Sequence, residues 1–249
     1  MTPEKLHLDI CLTPALIHNY DLNNTSIIII DIIRASSSIC TAMFYGVQHI
    51  IARENIDDIK KLKEEGYLIA GERNGEKLEG FDYGNSPIAF MDRKLEGKKL
   101  AITTTNGTSA IDKVLLQSAL SSNVEIVIGG FVNFSVLKNY LYKGNRNVVL
   151  LCSGWKGGLS IEDTVFAGKL AFELMKSGKY KFISDAAPHA ILIYEDARSN
   201  YFNFIMDNSV RFSQNFGSLS HDIRYSLKED VAPVIPYYVD GQILTMKLE

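Results

Sequence analysis

Short runs of β-branched and aliphatic residues, bounded by turn formers, recur through the first two thirds of the chain. They predict strands at residues 26–33, 47–52, 67–70, 99–104, 124–129 and 147–152. Several are apolar without alternation, the pattern of strands buried on both faces. The intervening segments 36–45, 56–65, 108–117, 132–142 and 161–176 space their apolar residues at helical intervals. Strand and helix alternate, so the predicted fold class is α/β, a three-layer α/β/α arrangement on a mostly parallel (mixed) sheet with right-handed crossovers. Residues 185–226 read as a helical C-terminal appendage rich in aromatics, among them Tyr194, Tyr201, Phe202, Phe204, Phe212 and Phe216. Beyond it, residues 231–239 and 242–247 flank Asp240-Gly241, the turn dipeptide of a two-residue β-hairpin, predicted to join or cover the sheet.

With 249 residues and no repeat, low-complexity tract or Pro/Gly-rich linker, the chain reads as one α/β domain or two tightly packed lobes. Hydrophobic residues make up 46% and charged residues 22%, an ordinary globular composition. Net charge is −3 with Lys and Arg scattered, which argues against a nucleic-acid partner and requires any anionic ligand to be held by a local pocket. Cys11, Cys40 and Cys152 form neither a C-x-x-C pair nor a disulfide framework, which fits a reducing cytoplasm. No apolar run approaches the length of a membrane span and no basic leader precedes one, so neither membrane insertion nor secretion is expected. The aromatic stretch suits either core or a homo-oligomer interface, and core is the expectation.

Candidate chemistry lies at predicted strand ends, where open α/β sheets collect ligands. After Ile27-Ile28-Ile29-Ile30 come Asp31, Arg34 and a helix start at Ser36. A buried Asp31 needs a metal, a hydrogen-bond network or an arginine partner, and an Asp31–Arg34 ion pair with Ser36 as cap would also satisfy it. Thr103-Thr104-Thr105-Asn106-Gly107-Thr108 sets hydroxyl and N–H donors at a helix start, a phosphate cradle or simply a capped turn. The strand ending in Cys152-Ser153-Gly154 is followed by Ser160-Ile161-Glu162-Asp163, acids in a first helical turn that also complement its dipole. Between them the polar, glycine-rich segment 71–87 carries Glu72, Arg73, Asp82, Asn85 and Ser86, either metal and anion ligands or a solvated loop.

The common phosphate-handling signatures are missing. No G-x-x-x-x-G-K-[ST] or strand-following G-x-G-x-x-G occurs. Position 33 is Ile, which rules out an aspartyl-phosphate D-x-D, and position 158 is Gly, which leaves Cys152 without the arginine of a cysteine-phosphatase loop. No histidine pair or H-E-x-x-H is present, so no histidine is given a catalytic role.

Four segments in this order, Asp31-x-x-Arg34-Ala35-Ser36, Gly71-Glu72-Arg73 through Asp82-x-Gly84-Asn85-Ser86-Pro87, Thr103–Thr108 and Cys152-Ser153-Gly154, resemble the 2-phosphosulfolactate phosphatase family. The resemblance implies an α/β/α, magnesium-dependent acid phosphatase that converts 2-phospho-3-sulfolactate to 3-sulfolactate, a step towards coenzyme M in methanogens. It implies a small, highly anionic partner whose charge is met by arginine and Mg²⁺. On that basis Asp31, Arg34 and Arg73 are the expected catalytic residues. Thr104, Thr105, Asn106, Gly107, Thr108, Asn85, Ser86, Ser153 and Gly154 are expected to bind substrate. Asp31, Glu72 and Asp82 are the expected Mg²⁺ ligands, with Glu162 and Asp163 as further choices. In-line attack by a metal-positioned water is the expected chemical step, with covalent attack by Asp31 as the rival.

Overall fold

The computed structural model describes residues 4–73, 75–119, 121–214 and 219–247. Among these, the strands are β1 (Leu6–Cys11), β2 (Thr25–Ile30), β3 (His49–Ala52), β4 (Leu68–Arg73), β5 (Glu76–Lys77), β6 (Lys99–Thr103), β7 (Glu125–Gly129), β8 (Asn147–Cys152), β9 (Tyr180–Phe182), β10 (Pro236–Val239) and β11 (Gln242–Thr245). They form one mixed sheet in the order β5-β4-β6-β3-β11-β10-β7-β2-β8-β1-β9. The helices are α1 (Ala35–Phe44), α2 (Ile56–Glu64), α3 (Gly107–Ser118), α4 (Phe134–Lys143), α5 (Ile161–Met175), α6 (Ala186–Ala197), α7 (Tyr201–Asn208), α8 (Val210–Gln214) and α9 (Ser220–Ser226).

Alternate residues of the central strands feed separate cores, which is why β2 and β8 are apolar throughout. Ile28, Ile30, Val148 and Leu150 pack with Leu137 of α4, Phe166 of α5 and Ala190 of α6. Ile27, Ile29, Val149 and Leu151 pack with Ile39 of α1 and Ile111 of α3 on the other face. A smaller cluster joins Ile59 of α2 to Ile69 and Ala101. Helices therefore cover both faces of the sheet, the α/β/α class that the alternating pattern predicts. No helix among the described residues is long and apolar enough to cross a membrane.

The hairpin at Asp240-Gly241 forms as its turn chemistry requires, with φ of 48° and 83° at the two positions, the left-handed pair a tight primed turn needs. Its place in the sheet was not anticipated. It is inserted between two parallel sets, β4-β6-β3 and β7-β2-β8-β1-β9, pairing antiparallel with β3 on one side and β7 on the other. The reversals leave the two sets running in opposite senses. A flat sheet would then place their carboxyl ends on opposite edges, so the convergence of both sets of ends on one cavity requires the sheet to curl about the hairpin.

Strands β1, β5 and β9 were also unanticipated. In β1, His7 and Asp9 interrupt the apolar pattern, yet Asp9 is buried because its carboxylate accepts from the Ile10 N–H and the Ser184 hydroxyl. The aromatics of 194–212 turn inward, with Tyr194 and Phe212 buried and Tyr201, Phe202 and Phe204 packed against the core. Phe216 lies outside the described residues.

Candidate active site

Asp31 leaves the end of β2 directly into α1, and its carboxylate lies where two helices begin. Oδ1 accepts from the Ala35 N–H at 3.3 Å, and Oδ2 faces Gly107 at the start of α3. The Asp31 N–H in turn donates to Ser36 Oγ at 2.9 Å, so Ser36 braces the turn from inside α1. Burial pushes the Asp31 carboxyl up to about 6, against the favourable pull of the Arg211 guanidinium and the Ala35 N–H, with Glu162 and Glu72 adding to the rise. Gly107 is required by this packing. A Cβ there would lie 2.7 Å from Ala35 Cβ and 3.0 Å from Asp31 Oδ2. We therefore expect Gly107→Ala to displace Asp31, reduce kcat by about 10–100-fold and destabilise the fold by about 1–3 kcal/mol. Steady-state kinetics and thermal unfolding check this, and wild-type kcat would show that the site tolerates a shift of the α3 start.

Two buried acids hold neighbouring strand exits together. On one side Asp163, in the first turn of α5, accepts from Ile32 N at 2.9 Å and Gly154 N at 3.1 Å, tying the exit of β2 to that of β8. On the other side Glu72 of β4 accepts from the N–H and hydroxyl of Thr105, both at 2.9 Å, and from Gly75 N at 2.8 Å, tying β4 to the exit of β6. A third acid, Asp222 of α9, receives Arg34 Nη1 at 2.8 Å and Ser86 Oγ at 2.6 Å, anchoring the helical appendage to the start of α1. Arg34 Nη2 donates to Gly75 O at 3.0 Å.

These clamps surround a cavity of about 320 Å³, floored by Asp31 and bordered by Arg34, Asn85 and Thr104–Asn106. Trp155 and Lys156, from the loop after β8, and Arg211 of α8 also line it, beside apolar residues that include Phe212 and Leu219. Arg211 Nη1 lies 3.3 Å from Glu162 Oε1. Burial raises the Glu162 carboxyl, opposed chiefly by Arg211, and raises the Asp163 carboxyl well above its ordinary value, helped by the charges of Glu162 and Asp31. The site thus holds more buried carboxylates than adjacent cations, an excess that a cationic ligand would relieve.

The sequence-predicted residues separate into groups. Asp31, Arg34, Glu72, Asn85, Thr104, Thr105 and Asn106 border the cavity. Arg34 pairs with Asp222 rather than Asp31. Glu72 has both carboxylate oxygens occupied by local donors. Thr104 and Thr108 bond each other, the Thr108 N–H donating to Thr104 Oγ1 at 3.2 Å and the Thr108 hydroxyl to Thr104 O at 2.7 Å, and Thr105 is bonded to Glu72, which leaves Asn106 as the cavity-bordering cradle residue whose side chain has no hydrogen bond to a described residue. Ser153 and Gly154 form the exit of β8, where Gly154 needs its left-handed φ of 67° and the Ser153 hydroxyl is buried with no protein partner. Ser86 is engaged by Asp222. Arg73 and Asp82 are not brought to the cavity. Arg73 donates to the Glu72 and Glu54 carbonyls and to Thr103 Oγ1, and Asp82 pairs with Lys63 and the Ile69 N–H. Trp155, Lys156, Arg211 and Asp222 were missed, because nothing local distinguishes them from surface or helical residues. The turn residues Gly154 and Gly157 around Trp155-Lys156 were the only available signal.

Among the described residues, no group of three His, Cys, Asp or Glu side chains is arranged to hold a metal ion. Asp31 and Glu162 are both buried, and the charge of Glu162 adds to the rise of the Asp31 carboxyl; the two nevertheless fit the requirement of Mg²⁺ for one or two carboxylates completed by water and phosphate oxygens. Cys152 is fully buried and its thiol is pushed well up by burial, which keeps it protonated.

The fold and this cavity define an α/β protein with a buried acid, arginines and hydrogen-bond donors gathered around strand carboxyl ends. A family model described as 2-phosphosulpholactate phosphatase matches residues 11–241, and the chain belongs to that family. It is 32% identical over 234 residues to a probable 2-phosphosulfolactate phosphatase of Caldanaerobacter subterraneus subsp. tengcongensis, covering 92% of this chain and 94% of the relative. It is 33% identical over 215 residues to one of Thermotoga maritima, covering 86% and 89%, and 30% identical over 242 residues to one of Clostridium beijerinckii, covering 96% and 99%.

Proposed function

We propose that this chain is a cytoplasmic phosphoric monoester hydrolase that converts 2-phospho-3-sulfolactate to 3-sulfolactate and phosphate with the help of Mg²⁺. The observation that carries this reading is Asp31, buried between two helix starts at the floor of a cavity bordered by anion-binding groups, in a chain that matches the family over residues 11–241. Asp31 and Glu162 would hold the metal, which when bound would neutralise phosphoryl charge and orient the phosphate. Asn106 and the start of α3 present donors to phosphoryl oxygens, reinforced by the helix dipole. Arg211 answers the charge that spreads over those oxygens during in-line displacement. Glu72 and Asp163 hold the strand exits so that these donors stay in place. Asp31, braced through Oδ1 and packed against Gly107 through Oδ2, suits an anchoring role better than covalent attack, so water is the favoured nucleophile.

The test is release of inorganic phosphate from 2-phospho-3-sulfolactate with Mg²⁺ and with EDTA, beside phospholactate and 3-phosphoglycerate. We expect turnover that prefers the sulfonated ester and falls by at least about 100-fold on chelation. Equal turnover of the three esters would remove the substrate assignment, and undiminished rates in EDTA would remove the metal.

A further inference from the structure

The proposed substrate carries a sulfonate at one end, a carboxylate at the other and the phosphoryl group on the carbon between them, so the cavity must answer further anions besides the one it releases, the sulfonate being the one that phospholactate lacks. Among the described residues, the cations that line it are Arg34, Lys156 and Arg211. Arg34 is committed, its Nη1 to buried Asp222 at 2.8 Å and its Nη2 to a backbone carbonyl. Arg211 belongs to the acidic centre, paired with Glu162 and acting on Asp31. Lys156 makes no ion pair with any described residue; its ammonium lies over the indole of Trp155, 4.6 Å from the ring centre. A charge census of the cavity therefore leaves one cation without an anion.

The backbone beneath Lys156 is built to hold it. Trp155 N donates to Gly158 O at 3.2 Å and Gly158 N to Trp155 O at 3.0 Å, closing a tight turn. Gly154, Lys156 and Gly157 all adopt left-handed φ, of 67°, 51° and 78°. The Thr13 hydroxyl fastens the turn from outside by donating to Gly157 O at 3.1 Å. A lysine on a braced turn against an aromatic wall offers a compact point charge with three rotatable donors, suited to the three equivalent oxygens of a sulfonate.

We propose that Lys156, positioned by Trp155, seats the sulfonate of the substrate and is the residue that sets the preference for sulfonated over unsulfonated phosphoesters. This rests on the reading given under Proposed function. The experiment compares wild type, Lys156→Gln and Lys156→Arg on 2-phospho-3-sulfolactate and on 2-phospholactate, which has hydrogen in place of the sulfonate. The expected result for Lys156→Gln is a loss of about 10–100-fold in kcat/KM on the sulfonated ester, carried by KM, and a smaller loss on phospholactate. The preference between the two esters then falls by about tenfold, and Lys156→Arg restores most of it. Equal losses on both esters, or none, overturn the assignment while leaving the function intact. If wild type releases no phosphate from 2-phospho-3-sulfolactate, the function reading itself fails and the sulfonate seat falls with it. Lys156 is exposed, so its replacement does not endanger folding.

Discussion

Asp31→Asn is expected to lower phosphate release by at least about 1,000-fold while making the metal-free protein more stable at pH 7. The loss follows from removing the carboxylate at the floor of the cavity, where charge is needed to hold a cation against phosphoryl oxygens. The gain follows from the same burial. The Asp31 carboxyl is raised from its ordinary 3.8 to about 6, so the folded protein binds this proton more tightly than the unfolded chain. The sign is then fixed: this contribution to stability is complete below about pH 4, falls as pH rises towards 6, and stays as a penalty above that. The penalty at pH 7 is about 2–3 kcal/mol, and asparagine, whose side-chain oxygen can still accept from Ala35 N–H, escapes it. For a chain of this length that corresponds to a rise in Tm of about 5–10 °C without metal. Mg²⁺ should raise the wild-type Tm and leave the variant unmoved, because a ligand that binds only the folded state stabilises it. Calorimetry at pH 4.5 and pH 7, with and without Mg²⁺, separates these effects. A variant that is both inactive and less stable than wild type at pH 7 would contradict the account of a carboxylate held at energetic cost for function.

The second large effect concerns the scaffold. Glycine in the middle of a helix ordinarily weakens it by about 1 kcal/mol relative to alanine, so Gly168→Ala in α5 would stabilise an isolated helix. Here the expected sign is reversed. A Cβ at Gly168 would lie 2.0 Å from the Ala190 carbonyl oxygen, 2.5 Å from its carbon and 3.0 Å from Tyr194 Cβ. The obstacle is the backbone of α6, which no rotamer change can move, so α5 and α6 must separate and open the core around Phe166 and Ala190. We expect destabilisation of at least about 3 kcal/mol and a fall in Tm of roughly 10 °C, measured by urea and thermal unfolding. An unchanged or higher Tm would mean that α6 slides on α5 without loss.

Much of the architecture follows from local pattern. The isoleucine run of β2 and the valine-leucine run of β8 are legible because both faces are buried, so every position is apolar and no register ambiguity hides the strand. The boundaries of α1, α3 and α5 are legible because hydroxyls and glycine sit at the positions where a helix begins. Ser160, whose Oγ accepts from Asp163 N at 3.3 Å, is one such cap. Asp31, Asn106 and Glu72 were recognisable as candidates, and they do border the cavity, because they follow predicted strands, the point at which parallel sheets expose their chain to ligands.

What tertiary structure alone decided has a common physical cause, the choice of partner between groups distant in sequence. Asp240-Gly241 dictates a hairpin, but its insertion between β3 and β7 depends on which strand edges are open once the rest of the sheet has formed. Arg73 and Asp82 share the polar segment 71–87 with Glu72 and Asn85 and carry the same kinds of group. They leave the cavity because Thr103, Glu54 and Lys63 are nearer to them in the fold. Arg211 stands in an appendage whose sequence announces only aromatic packing, and it reaches Glu162 because α8 folds back over the start of α5. Residue type and spacing determined that this chain makes an α/β sheet with acids and hydroxyls at its strand ends. Which of those acids keeps an uncommitted oxygen, and which cation stands opposite it, was set by the curl of the sheet and the return of the helical appendage, since hydrogen bonds and charges are satisfied by neighbours in space.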